Sequence, residues 1–392
     1  MSQLFVVEDP EPRKAIIKVV GIGGGGGNAI NHMYKRGESE VSYLALNTDS
    51  GHLGTLNVPT LSLGMHQGAG LGAGADPEMG RDAALQSEHE IESHLDQVDM
   101  LFIAAGMGGG TGTGAAPVVA ELARKHGILT VAVVTKPFGW ELPTRKKVAE
   151  DGIEKLSTKV DSIITISNDK LNETSSDQRM EDAFARADDI LCTAVGGISD
   201  LVMKTGRINV DFADLSRIMR GSGKALIGVG EAFESNRAKD AMTAAMSSPL
   251  LENVDMKGST GLLVNVTSGR DLTLQEFSQI NSVAGEIACE SAQLIAGWVV
   301  DEAMEGSVRV TLVVTIPSPE ADYQPVIDKI SRDGTGARDY SKLETPITNR
   351  TPIHVPSTVD AASGRPSPSR AQKNVKEAIE PEWTNIQAYL SR

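Results

Sequence analysis

Residues 106–114 read GMGGGTGTG: six glycines, two threonines, one methionine and no lysine. A stretch so poor in side chains lets main chain come close to whatever it holds. The successive N–H groups of Gly108, Gly109, Gly110, Thr111, Gly112 and Thr113 can converge on phosphate oxygens. The run follows an apolar strand pattern, DMLFIAAG (99–106), and leads into APVVAELARKHG, whose spacing is helical. In a strand–turn–helix of this kind the helix dipole adds to the anion site. Pro117 is expected in the first turn of that helix, where no N–H is missed.

The alternation extends through the first half of the chain. AIIKVVGIG (15–23), SYLALNTD (42–49), ILTVAVVTK (128–136) and DSIITISND (161–169) read as strands, and PEMGRDAALQSEHEIESHL (77–95) as helical. This predicts an α/β fold with a doubly wound parallel sheet, whose ligands sit at the carboxyl ends of the strands. Both long glycine runs fall there. From about Met180 to Gly206 the pattern is continuously helical and stops at a glycine. Beyond it ALIGVG, TGLLVNVTSG and GSVRVTLVVTIPSP read as strands with helices between, a smaller α+β domain. The long helix would then run between two domains.

Bulk composition sets limits. The 392 residues suffice for two cores, and only 4% are aromatic. The 37 basic and 52 acidic residues leave a net charge of −15, which argues against holding nucleic acid by its phosphates. From Glu320 onward there are ten of each sign, so the whole excess lies in residues 1–319. Cys192 and Cys289 lie far apart in apolar helical stretches and read as buried reduced thiols of a cytoplasmic protein. MSQLFVVEDPEPRK lacks the apolar run of a leader, and no stretch approaches the roughly 18 apolar residues of a membrane span.

After about Lys342 the composition changes. TPITNRTPIHVPSTVDAASGRPSPSR has five prolines and no aromatic residue, so it reads as a disordered linker. A coil of about 40 residues spans roughly 35 Å. The final EWTNIQAYLSR regains Trp383, Ile386, Tyr389 and Leu390, as a docking peptide on a tether does; a frayed end is the alternative.

The first glycine run, GIGGGGGN (21–28), also joins a strand to a helix. It contains G-x-G-x-x-G as Gly21, Gly23 and Gly26, and Asp49 follows 23 residues later. Alone it reads as a dinucleotide fingerprint or a tight turn without a ligand. The second run argues against the dinucleotide, which needs no further anion site at a neighbouring strand end. Two such turns side by side suit a nucleoside di- or triphosphate. No G-x-x-x-x-G-K-[ST] occurs, and GSGKAL (221–226) has the wrong spacing, which excludes a P-loop. HEIESH (89–94) places its histidines five apart, about 140° round a helix, so it reads as a solvated face and not as a zinc site.

GGGTGTG, with GGGGGN upstream and NVDFADL (209–215) downstream, resembles the tubulin/FtsZ superfamily over roughly residues 14–318. The resemblance implies a GTPase that assembles head to tail into protofilaments at the division septum. It places Gly24, Gly25, Gly26 and Asn28 against the nucleotide, with Asn47, Thr48 and Asp49 near the phosphates and Mg²⁺. GAGAD (72–76) would sense the γ-phosphate through Ala73 and Gly74, and Asp76 stands where family members commonly carry Asn. Gly108, Gly109, Gly110, Thr111, Gly112 and Thr113 form the signature loop, and Glu141 and Arg145 match the ribose and phosphate contacts. Phe184 would stack on guanine and Asp189 accept from its N1–H and amine, with Asp188 where Asn is often found. GTP or GDP with Mg²⁺ is thus the implied ligand set, and Arg145 the implied side-chain cation.

Asp211 and Asp214 by themselves read equally as a helix N-cap and first turn. The resemblance makes them the residues that orient the attacking water on the neighbouring subunit's nucleotide, with Asn209 near the γ-phosphate. It also implies a tail that docks on a membrane-tethering division adaptor, without direct insertion into the membrane. Tail residues Asn385, Gln387 and Tyr389 depart from the usual Asp, Pro and Phe. The domain expectation is an extension (1–13), a GTP-binding domain (14–179), a central helix (180–206), an α+β domain (207–319), a linker (320–380) and a docking tail (381–392). Two other classes stay open: a nucleotide-binding scaffold of the same fold with little turnover, and a Rossmann oxidoreductase using the first glycine run.

Overall fold

A computed structural model describes residues 14–37, 41–64, 70–169, 179–204, 207–208, 210–248, 251, 259–288 and 292–316. The chain divides into units Met1–Val326 and Ile327–Arg392, and every described residue belongs to the first. The expected N-terminal extension, linker and docking tail lie outside the described residues, as does Cys289.

The first half runs β1 (Ile17–Ile22), α1 (Gly23–Lys35), β2 (Ser42–Asn47), α2 (Ser50–Leu53), β3 (Thr60–Ser62), α3 (Pro77–Gln86), α4 (Glu88–Leu95), β4 (Met100–Gly106), α5 (Thr111–Lys125), β5 (Leu129–Lys136), α6 (Pro143–Ser157) and β6 (Ser162–Ser167). The second continues with α7 (Met180–Met203), α8 (Phe212–Met219), β7 (Gly223–Phe233), α9 (Arg237–Met246), β8 (Gly261–Ser268), α10 (Leu274–Ile287), β9 (Gln293–Val300) and β10 (Ser307–Ile316). All ten strands join one sheet, ordered β3-β2-β1-β4-β5-β6-β7-β10-β8-β9. The strands from β3 to β7 are parallel, β10 is antiparallel to both neighbours, and β9 runs parallel to β8.

Burial follows the period of two. Val19, Phe102, Val131, Val133 and Ile164 face a core shared with α1, α7 and α8. Val20, Leu101, Ile103, Ala132 and Ile163 face the opposite core, built with α3 to α6. With both faces covered, the strands read as near-continuous apolar runs. Helix α7 joins the two halves: Leu191, Val195 and Ile198 share a cluster with Ile166 on one side and Ile227, Leu263 and Val313 on the other. The link is sheet as well as helix, because Ser162–Ile164 pairs with Gly223–Ala225.

One local feature differs from expectation, and two strands have patterns too weak to be read from the sequence. Pro117 lies inside α5, since the helix already begins at Thr111 and takes the signature residues as its first turn. Strand β3 has only three residues, too short to show a period. Strand β9 is an edge strand with mixed burial and lacks a clean alternation.

The third core, between α9, α10 and the last strands, is tied down by buried Arg237. Its Nε donates to Glu276 Oε1 at 2.7 Å and its Nη1 to Asp271 Oδ2 at 2.5 Å. Glu276 also closes a capping box with Thr273 at the start of α10. The Arg237 hydrogen bond holds the Glu276 carboxyl at about 2, against an ordinary 4.5. A depressed carboxylate stabilises the fold above its ordinary pKa, and that stability is lost as pH falls through the folded value. Arg237→Ala should therefore lower unfolding stability by about 3 kcal/mol at neutral pH. Denaturant titrations should also find the variant's stability flatter than the parent's between pH 4.5 and about 2.

Candidate functional site

Strands β1 and β4 are neighbours, with Ile22 opposite Ala105, so the two glycine turns leave the sheet side by side. They touch through main chain. Gly23 has φ +73°, and a Cβ there would lie 2.8 Å from Gly112 N. A Cβ at Gly26 would lie 2.2 Å from Ala104 O, so only glycine lets α1 sit this low on β4. By contrast, a Cβ on Gly24 or Gly109 would meet nothing within 4 Å. Neither α1 nor α5 has a side-chain N-cap or an acidic residue in its first turn. Two helix N-termini thus keep free donors beside open space. The signature turn is braced from behind, where Thr113 Oγ1 accepts from Gly108 N at 2.8 Å.

The second predicted segment packs against this pair. Thr48 and Thr111 share a buried hydroxyl contact of 2.7 Å, and Thr48 O accepts from Gly72 N at 3.1 Å. Asp49 caps α2, its Oδ1 accepting from His52 N at 3.0 Å. His52, absent from the sequence reading, bridges Asn28 (Nε2 to Oδ1, 2.9 Å) and Asn47 (Nδ1 to Nδ2, 3.3 Å). Asp76 is exposed and caps α3, accepting from Glu78 N at 2.9 Å. Asp and Asn are equally good caps, so its charge serves the helix and is directed at Glu78 N–H. Ala73 lies against the signature turn, since a Cβ on Gly110 would reach its Cβ at 2.8 Å.

Glu141 and Arg145 meet at 2.9 Å, and Glu141 Oε1 accepts from Phe138 N at 2.8 Å. Main chain at Arg145 abuts the signature turn, where a Cβ on Gly108 would come within 2.8 Å of Arg145 O. At the end of β6, Asn168 is 6% exposed and its Oδ1 has no hydrogen-bond partner among the described residues. A buried acceptor left unsatisfied at a ligand-bearing edge is a place for a donor from outside. The signal for it was the polar triplet Ser167-Asn168-Asp169 after an apolar strand.

Helix α7 carries Phe184, whose side chain lies outside the described residues, and the two aspartates. Asp189 is occupied: His32 Nε2 and Arg36 Nη1 of α1 lie 2.9 and 2.8 Å from its Oδ1. Asp188, next to it, is half-buried. Burial raises its carboxyl from 3.8 to about 6; His32 opposes the rise and Asp189 adds to it. Asp211 precedes α8 as its N-cap without a side-chain cap bond, and Asp214 lies 3.8 Å from Arg217. Asn209 lies outside the described residues. Helix α8 ends where Arg220 donates to Gly127 O, ahead of β5, at the sheet edge opposite the glycine turns.

Residues 16–176 match the GTPase domain of the Tubulin/FtsZ family, and residues 223–316 the FtsZ family C-terminal domain. The chain belongs to the tubulin/FtsZ family. It is 45% identical to the cell division protein FtsZ of Coxiella burnetii over 370 residues, 92% of this chain and 95% of that one. It is 47% identical to FtsZ of Azotobacter vinelandii over 321 residues, 81% and 82% of the two chains. An empty FtsZ dimer from M. jannaschii superposes with a TM-score of 0.74 at 42% identity, covering 78% of this chain and 89% of that one. The protein is a GTPase of the tubulin-like cytoskeleton of cell division.

A guanine nucleotide fits this edge. The free amides of two helix starts suit phosphates, and the orphaned Asn168 acceptor suits a donor on base or ribose. Among the described residues, no group of three or more His, Cys, Asp or Glu could hold a metal, and no helix is long and apolar enough to cross a membrane. In nucleotide-free protein Asp188 should titrate with a midpoint of about 6, followed by carboxyl-carbon NMR. His32→Ala should move that midpoint upward, because it removes the neighbour that favours the charged form.

Proposed function

We propose that the protein polymerises head to tail, each subunit holding GTP at its glycine turns and receiving Asp211 and Asp214 from the next. One observation carries this reading: within one chain the two groups lie at opposite edges of the sheet. Helix α7 has 24 residues, a length of about 36 Å, and takes the chain from the carboxyl edge to the far side. A second copy stacked on the first would bring α8 over the open glycines. The dimer described for the M. jannaschii relative supports self-association.

On this reading the amides around Gly24 and Gly109, with the α1 and α5 dipoles, bind the phosphates, and Arg145 lends the side-chain charge. Mg²⁺ would arrive bound to the phosphates, most of its remaining ligands being water, and would neutralise charge there. Asp211 and Asp214 would align the attacking water, which is the main demand of phosphoryl transfer to water. Asn209 is assigned to the γ-phosphate by family resemblance alone. Supplying two carboxylates only on assembly confines their repulsion of the triphosphate to the productive state and couples hydrolysis to polymerisation.

The guanine reader shifts by one residue from the sequence reading. Asp189 is engaged by α1, so we assign recognition of the N1–H and amine to Asp188. A carboxylate selects guanine there because adenine offers an acceptor at N1 and no amine. The division septum and an adaptor bound by residues 381–392 complete the reading, the latter on sequence grounds alone.

Asp211→Ala should bind GTP like the parent yet release almost no phosphate. Lost nucleotide binding, or a parental turnover per subunit that does not change on dilution below the assembly range, would count against a shared site. GTP affinity should also fall as pH drops below about 6, because binding needs the Asp188 carboxylate and the free protein then holds its proton. The loss should approach about tenfold per pH unit and vanish in Asp188→Asn, measured by fluorescent-nucleotide displacement.

A further inference from the structure

Residues 137–142, between β5 and α6, form neither helix nor strand, yet they carry Glu141 and lead into Arg145. Such a segment opens readily unless specific contacts hold it. Two carboxylates do so. Glu141 fastens it internally through Phe138 N and Arg145. Asp169, just past β6, fastens it from outside: its Oδ1 accepts from Gly139 N at 2.5 Å, and its Oδ2 lies 3.8 Å from Lys146 Nζ. The approach depends on the missing side chain, since a Cβ on Gly139 would come within 3.0 and 3.1 Å of the two Asp169 oxygens. Phe138, 1% exposed, anchors the segment below. Trp140, 62% exposed, stacks on it with ring centroids 5.5 Å apart.

We propose that Asp169 is a positioning residue for the nucleotide site, gripping the Gly139 amide so that Glu141 and Arg145 stay against the signature turn. The inference rests on the nucleotide reading given above. A charged acceptor on a main-chain amide is among the stronger hydrogen bonds, and here it joins the end of one strand to the loop after its neighbour. The adjoining main chain at Arg145 already abuts Gly108, so a displaced loop would carry Arg145 away from the amides it assists.

The test uses full-length protein with Trp298→Phe and Trp383→Phe, leaving Trp140 as the single tryptophan. Asp169→Ala should weaken GTP and GDP binding about tenfold and make Trp140 more accessible to acrylamide, with little change in Tm. Asp169→Asn, whose carbonyl still accepts from Gly139 N, should recover affinity to within about threefold of the parent. Unchanged affinity with unchanged quenching in Asp169→Ala overturns the proposal, as does an Asn variant no better than Ala. Should the alanine variant fail to fold, Asp169→Ser carries the same expectation. A parent that binds no guanine nucleotide overturns the nucleotide reading instead, and the quenching comparison still decides whether Asp169 holds the loop.

Discussion

Main chain packed on main chain is the constraint from which the rest of this site follows. Neighbouring parallel strands β1 and β4 each end in a glycine turn, and the turns interlock until Gly23 and Gly112 leave no space for a Cβ. That contact fixes the starts of α1 and α5 beside one another, with their unpaired amides directed at one space. A lysine of the P-loop kind is then unnecessary, because two neighbouring helix starts and the amides of their glycine turns already supply positive potential. The same closeness explains why α5 begins inside the signature sequence, with Pro117 carried into its body. The helix must start early for its dipole to reach the turn.

The elements that were legible in the sequence are those whose signal is local. Strand β4 and helix α5 announce themselves by an unbroken apolar run, six glycines and a helical period, all within 27 residues of one another. What could not be read is contact between distant residues. Nothing local links His52 to Asn28, 24 residues away, or Asp169 to Gly139, 30 residues away. The adjacent Asp188 and Asp189 show the limit most clearly. Successive helix positions differ by about 100°, so Asp189 takes the hydrogen bonds of His32 and Arg36 and Asp188 does not. Which does which depends on where α1 lies across the sheet, a tertiary fact with no trace in the two letters themselves.

The carboxylates around the site then fall into a pattern that a strongly acidic chain requires. A protein of net charge −15 that holds a polyphosphate must keep its own anions from opposing it. Asp49 and Asp76 each accept an amide at the start of a short helix, and Glu141 and Asp169 each accept one within the 137–142 segment. Asp189 faces His32 and Arg36. Each negative charge is thus turned onto its own scaffold, where it orders a turn and presents little field to a ligand. Asp188 is the member of this set with no hydrogen bond of its own among the described residues, and burial raises its carboxyl to about 6, His32 opposing the rise. Asp211 and Asp214 solve the same electrostatic problem by distance, at the far edge of the sheet. A chain arranged this way can bind GTP without opposing it, and on the proposed head-to-tail reading the acidity that positions water comes from the next subunit.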